Sequence, residues 1–413
     1  MTRNLLLVGA HSSSVSEILD AADELGVAVY LATHGNVFAE YPVAFRERFA
    51  GAVFPNFLAH EAALDELVDF CRERDIGGVV CAWEFLSPVA TKVAARLGLP
   101  SHDPALADAC RNKALMAKVL TGQGVPAPRT WLASSLSSAR AKIAELGLEF
   151  PLVIKPAENA YSIGVSVIDS MDGLPDAIIA VQRWMNETPH GVPLDVSVLI
   201  QEYVDGQEFS VETVVRDGVR HHLGIIEKFT TSGVTREEAG HTAPASLPEE
   251  ISAAIIDTVD RGLVALGFRN GVAHSEIKVQ PNGVAKVIEI GARPPGDHIV
   301  RILRYATGIS EARAYIQVAM GDEPEITGTK GGAAAIRFLS TEDTGILENV
   351  NGIPDVPEIV ESVRYLAPGD QVGNYYEKFT RVGHVIMCDS SASAVNKLAA
   401  DLVDGVSIDV RVG

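Results

Sequence analysis

The chemistry-bearing residues of this chain are concentrated in one run, His274-Ser-Glu-Ile-Lys-Val-Gln-Pro-Asn-Gly-Val-Ala-Lys-Val-Ile-Glu-Ile-Gly-Ala-Arg-Pro-Pro-Gly-Asp297. Asn282-Gly283 signals a two-residue hairpin loop. Counting outward from that loop puts Glu276 opposite Glu289, flanked by the apolar Ile277, Val287, Ile288 and Ile290. Like charges facing each other across two strands are destabilising. A divalent cation would relieve them, since magnesium is commonly held by one or two carboxylates with phosphate and water completing its octahedron. A shared proton, or pairing with Lys278 or Arg293, would also neutralise the pair.

Cations for a phosphate are available upstream. Lys155 closes the apolar run 151–156 and precedes a small polar loop, 157–164, whose backbone N–H groups, including those of Ser162 and Gly164, could cover phosphates. Lys113, in a helical run over 108–122, could reach the same place as a point charge. Taken singly, either lysine reads more readily as a solvated surface residue, and the loop as an ordinary surface loop. The run Gln201-Glu-Tyr-Val-Asp-Gly-Gln-Glu-Phe-Ser-Val-Glu212 follows an apolar strand at 196–200 and breaks at Asp205-Gly206. It describes a linker between two sheets whose backbone a flat ligand could contact, with Glu208 able to accept hydrogen bonds from ribose hydroxyls.

These segments need a scaffold, and the pattern supplies an α/β one. Strands are expected at 5–8, 27–32 and 77–82, and helices at 14–25, 62–72 and 88–97. That alternation implies a parallel, Rossmann-like sheet whose ligand edge lies at the strand C-termini. The loop Gly9-Ala-His-Ser-Ser-Ser14 sits at that edge but is a poor dinucleotide signal. Asp217-Gly218 marks a second hairpin, and after about residue 331 strands at 333–339 and 384–388 and a helix at 392–402 return to α/β. Expected domains are 1–107, 108–200, 201–315 with the metal site, and 316–413.

Composition narrows the partners. A length of 413 residues calls for two or three packed units, and 54 acidic against 34 basic side chains give a net charge of −20, which disfavours nucleic acid and anionic lipid. The four cysteines have no paired short spacing for zinc or a disulfide framework. The apolar stretch at the N-terminus turns polar at His11, too short for a signal or spanning helix. A cytoplasmic protein, with neither nucleic-acid nor membrane partner, is expected.

In the order Lys113, Val153-Ile-Lys-Pro156, Gln201 to Glu208, Glu276 and Glu289-Ile-Gly-Ala-Arg293, the chain resembles ATP-grasp enzymes over about residues 100 to 310. Gly240-His-Thr-Ala-Pro-Ala245 and the run 289–296 look most like the L-amino acid ligases, which form dipeptides. The resemblance implies an N-terminal Rossmann-like domain, a two-subdomain ATP-grasp fold and a C-terminal α/β extension. It implies that Lys113 and Lys155 bind ATP phosphates, that Glu202, Tyr203 and Val204 hold adenine, and that Glu208 takes the ribose. Glu276 and Glu289 would bind Mg2+, or Mn2+ in its place. His241 would lie near the substrates, and Arg293 would contact the transferring phosphate, with Glu84 and Gly296 beside the small-molecule carboxylate and amine. A homodimer is a family-level expectation. The family often has asparagine where this chain has Gly291, which bears on metal coordination. The implied reaction is ATP-dependent amide formation through an acyl-phosphate. The alternatives are an ATP-grasp carboxylase, a purine-pathway-like ligase, or a regulatory protein that binds ATP without turnover.

Overall fold

The computed structural model describes residues 3–10, 13–231, 238–373 and 380–412. His11 and Ser12 of the first strand-end loop, and residues 232–237, lie outside the described residues.

The N-terminal unit is a four-stranded parallel sheet in the order Gly51–Val53, Val27–Ala32, Arg3–Val8 and Ile76–Cys81. Leu5, Leu6, Leu7, Val8, Leu31 and Val80 are fully buried, as expected of central parallel strands covered on both faces by helices. Because the strands are parallel, Val8, Ala32 and Cys81 end at one edge, and the chain beyond Cys81 enters the short helical turn Glu84–Leu86.

A second, antiparallel sheet of four strands runs Thr130–Ala133, Val198–Glu202, Leu152–Pro156, Ser166–Ile168. The helices Leu136–Leu146 and Leu174–Gln182 bury its Ile154, Ile168, Val198 and Ile200. The helical run expected over 108–122 is split. A short helical turn, Ala107–Cys110, is followed by the helix Lys113–Gly122, because the Asn112 side chain accepts from the backbone N–H of Ala114 and Leu115 and starts the helix there.

The third sheet is the largest, eight antiparallel strands in the order Ala285–Gly291, Gly271–Val279, Gln207–Arg216, Val219–Thr230, Glu238–Ala243, Ala333–Thr341, Thr380–Asp389, Ile359–Arg364. Strands of the C-terminal region therefore extend the same sheet that carries Glu276 and Glu289. The join requires glycine: a Cβ at Gly240 would collide with the backbone oxygen of Ile336 on the neighbouring strand. A small three-stranded sheet, Gln371–Val372, Gly345–Asn351 and Ser407–Arg411, completes the C-terminal part.

The hairpin at 280–284 differs from its expected form. Val279 pairs with Ala285 and Ile277 with Val287, one residue out of step with a two-residue loop at Asn282-Gly283. An irregularity between Glu276 and Ile277 then inserts one extra residue on the second strand and restores the step, so Glu276 does face Glu289. The expected pair is present although the turn that predicted it is not.

Candidate active site

The carboxylate pair is partly open to solvent, with Glu276 23% and Glu289 21% exposed at the side chain. Neither alternative partner foreseen for it is used. Lys278 donates to the Val204 carbonyl at 3.3 Å and lies over the Tyr203 ring, and Arg293 is bonded to Glu84. Instead, Glu289 meets the Lys113 ammonium at 2.9 Å, and Glu276 meets Lys228 at 2.8 Å. Burial opposes the ionised form of Glu276, but Lys228 and His274 outweigh it and hold its pKa below the ordinary carboxylate value. For Glu289, burial and the neighbouring Glu276 and Glu84 outweigh Lys113 and push the pKa up. A carboxylate that is reluctant to ionise beside one that is ionised fits a cation, which would remove the repulsion between them.

The lysines divide into two kinds. Lys113 also donates to the Asn159 carbonyl at 2.7 Å, tying it to the loop after Lys155. Lys155 is 5% exposed, and its ammonium makes no hydrogen bond or ion pair to a described residue. Burial, with Lys113 nearby, lowers its pKa to about 8. A desolvated ammonium with no carboxylate against it at the end of a strand is suited to receive an anion. In the following loop Tyr161 and Ser162 both take φ 55°, and Gly164 φ 77°. Two consecutive non-glycine residues in the left-handed region are uncommon and cluster at ligand clamps.

The linker between the sheets is held at both ends. The Glu202 side chain accepts from the backbone N–H of Arg129 at 3.1 Å and from Lys286 at 3.1 Å, which leaves backbone rather than carboxylate to face a ligand. Val204 is buried, and Gly206, at φ 119°, is packed against the backbone of Val279 so closely that a Cβ would collide with the Val279 oxygen.

Glu208 meets Lys228 at 3.0 Å, and Glu238 meets the same ammonium at 2.7 Å. Burial opposes that charge, but Glu238, Glu276 and Glu208 raise the Lys228 pKa well above its usual value. Sequence reasoning passed over Lys228 and Glu238, because strand alternation does not reveal which strands become neighbours. It also passed over Asp297, Arg381 and His274. Arg381, from the C-terminal region, grips both Asp297 oxygens at 2.7 and 3.1 Å. Asp297 and His298 have φ 52° and 58°, a departure that only the structure reveals. His274 is wedged between Glu212 at 2.9 Å and Glu276 at 3.4 Å, and those carboxylates overcome burial to raise its pKa to about 10.

His241 is wholly buried and lies 3.3 Å from Glu238 and 3.5 Å from Asp297, among these carboxylates rather than with Glu84 and Arg293. Burial lowers its pKa, but Asp297 and Glu238 reverse that and raise it. Glu84 reaches the site from the N-terminal sheet; one oxygen takes the Arg293 guanidinium, and the other is buried without a hydrogen-bond partner. A Cβ at Gly291 would lie 3.4 Å from that Glu84 carboxylate, so the space a side chain at 291 would enter is occupied by Glu84. Gly296 has open space around it, and its carbonyl accepts from Ile299 N at 3.0 Å, starting the helix Ile299–Thr307.

Three family profiles match the chain: the ATP-grasp N-terminal domain over residues 19–101, the ATP-grasp domain over 148–301, and the L-amino acid ligase C-terminal domain 2 over 337–411. By these profiles the chain carries an ATP-grasp N-terminal domain and an ATP-grasp domain. Within that class it is similar to the L-amino acid ligases. Its fold superposes on the L-amino acid ligase from Bacillus licheniformis with a TM-score of 0.81 and 25% identity, covering 100% of this chain and 99% of that one. The alanine–anticapsin ligase of Bacillus subtilis is 27% identical over 57% of this chain, which spans 52% of that relative. Carnosine synthase 1 of Gallus gallus is 25% identical over 78% of this chain and 36% of its own length. Among the described residues no helix is long and apolar enough to cross a membrane.

Proposed function

We propose that the chain is an ADP-forming carboxylate–amine ligase that joins an amino acid to a second amino acid or a small carboxylic acid. The observation that carries this reading is the convergence of an unpaired buried lysine, a second lysine and two facing carboxylates beside the Arg293–Glu84 pair. A phosphate-and-cation site adjoins a site for a carboxyl group.

In this reading a substrate carboxylate oxygen attacks the γ-phosphorus of ATP and ADP leaves. The second substrate's amine nitrogen then attacks the acyl-phosphate carbon, phosphate leaves, and the nitrogen loses a proton. Lys113 and Lys155 hold the phosphates, and the 202–204 backbone holds adenine. Glu276 and Glu289 would hold Mg2+, which when bound neutralises phosphate charge. Arg293 steadies the transferring phosphate, Glu208 receives the ribose and Glu84 borders the substrates, while His241, wholly buried, acts on them only through Glu238 and Asp297. Closure of the 157–164 loop excludes water from the intermediate.

The test is product analysis with ATP, magnesium and pairs of amino and dicarboxylic acids. ADP and phosphate formed only with a particular acid and amine establish ligation; AMP and pyrophosphate sink it, and bicarbonate-dependent ADP without any amine points to a carboxylase. Glu289→Gln is expected to lower turnover by about a hundredfold or more with the fold retained.

A further inference from the structure

Glu84 and Arg293 face the proposed reaction, and the two residues flanking Glu84 are both tied to the second sheet's loops. On one side, the Trp83 indole N–H donates to Glu187 Oε1 at 2.6 Å. Glu187 lies in the 183–197 connection that precedes the strand Val198–Glu202. The same carboxylate accepts the His190 backbone N–H at 3.1 Å and lies 3.0 Å from His190 Nδ1, while His190 Nε2 lies 3.0 Å from Thr33 Oγ1 at the end of a second N-terminal strand. Glu187 and His190 are 0% exposed at their side chains, and Leu194 of this connection is buried in the N-terminal core.

On the other side, Arg111 donates to the Phe85 carbonyl at 3.2 Å and to Glu158 at 2.7 Å, and Glu158 opens the loop proposed to cover the phosphates. Glu158 accepts the backbone N–H of Asp195 at 3.1 Å, and Asn112 bridges the two carboxylates from the residue before Lys113. The contacts form a circuit from Trp83 through Glu187 and the connection to Asp195, then Glu158 and Arg111, back to Phe85. Thr33, His190 and Glu187 are ordered like a hydrolytic triad, but Thr33 is 0% exposed, which closes it to any substrate.

We infer that Glu187 is a positioning residue: through Trp83 it sets Glu84 against Arg293, so that ordering of the phosphate loop on nucleotide binding is felt where the second substrate binds. This rests on the ligase reading above. The circuit is largely buried, and its links Trp83–Glu187 and Arg111–Glu158, one on each side of Glu84, are charge-assisted hydrogen bonds, which hold geometry more firmly than neutral ones.

Glu187→Gln removes the charge and keeps the volume, whereas Trp83→Phe removes the indole N–H together with part of a buried ring. Each is expected to raise KM for the amine by about tenfold, the value of one charged hydrogen bond, with KM for ATP unchanged. In a Glu84→Gln background Trp83→Phe should add nothing further. Additive effects, or a lowered melting temperature with unaltered kinetics, would show that the circuit is only structural. A second readout does not depend on turnover. With Trp131→Phe and Trp184→Phe, Trp83 is the sole tryptophan of three, and its emission should change on adding MgADP but not when Glu187→Gln is also present. Nucleotide binding that leaves Trp83 emission unmoved overturns the coupling. If the wild-type chain forms no ADP with any pair, the ligase reading fails and the emission result alone decides.

Discussion

Lys155 and Lys228 are both 5% exposed, yet they are opposites. Lys228 has Glu208, Glu238 and Glu276 within 3.0 Å, and its positive charge is locked in. Lys155 has no such neighbour, and its pKa falls to about 8. Desolvation acts on both in the same direction, so the difference is made by the carboxylates against Lys228 and by the Lys113 charge near Lys155. One cation is the keystone of the sheet's acidic face; the other, with no carboxylate against it, is the one proposed to take a phosphate.

The sharpest way to break this contrast is Lys228→Met, which leaves three carboxylates around an uncharged side chain. Stability should fall by about 3–5 kcal/mol, read by denaturant unfolding. A loss no larger than that of Lys155→Met would mean that the two lysines are equivalent. Lys155→Met should leave stability equal or higher, since it removes a buried charge with no partner, while weakening ATP binding by about a hundredfold, measured by calorimetry.

The pH dependence follows with its sign. Between about pH 8 and the ordinary 10.5, the unfolded chain holds a proton on Lys155 that the folded chain has released. Lys155 therefore opposes folding most fully below about pH 8, and its contribution to stability improves as pH rises through that interval. Phosphate binding favours the ammonium, so ATP should draw in a proton at about pH 9, detectable as a buffer-dependent binding enthalpy. Equal enthalpies in buffers of different ionisation heat would remove that assignment. The smallest stability effect is expected from Glu208→Gln, which leaves two carboxylates on Lys228: under about 1 kcal/mol, with a raised KM for ATP if the ribose binds there.

The sequence carried the α/β alternation of the first hundred residues because apolar strands and capped helices are local patterns. It carried Glu276 facing Glu289 through two errors that cancel, a shifted turn and a compensating bulge. Lys228, Glu238 and Arg381 were not legible, since their roles depend on Val219–Thr230 lying beside Glu238–Ala243 and on the C-terminal strands joining that sheet. Asp297 was hidden differently: its left-handed backbone and its grip on Arg381 leave no trace in residue type.

The shared sheet also limits how the molecule can be taken apart. Ala333–Thr341 covers the flank of Glu238–Ala243, pairing Gly240 with Arg337 and His241 with Ile336. A protein shortened after residue 331 would present that flank as a bare row of amide and carbonyl groups, inviting association between copies. It would also shed Arg381 and leave Asp297 without its guanidinium. Exchanging C-terminal parts between relatives thus requires matching a strand register, and the last eighty residues cannot be regarded as an appendage to a finished enzyme.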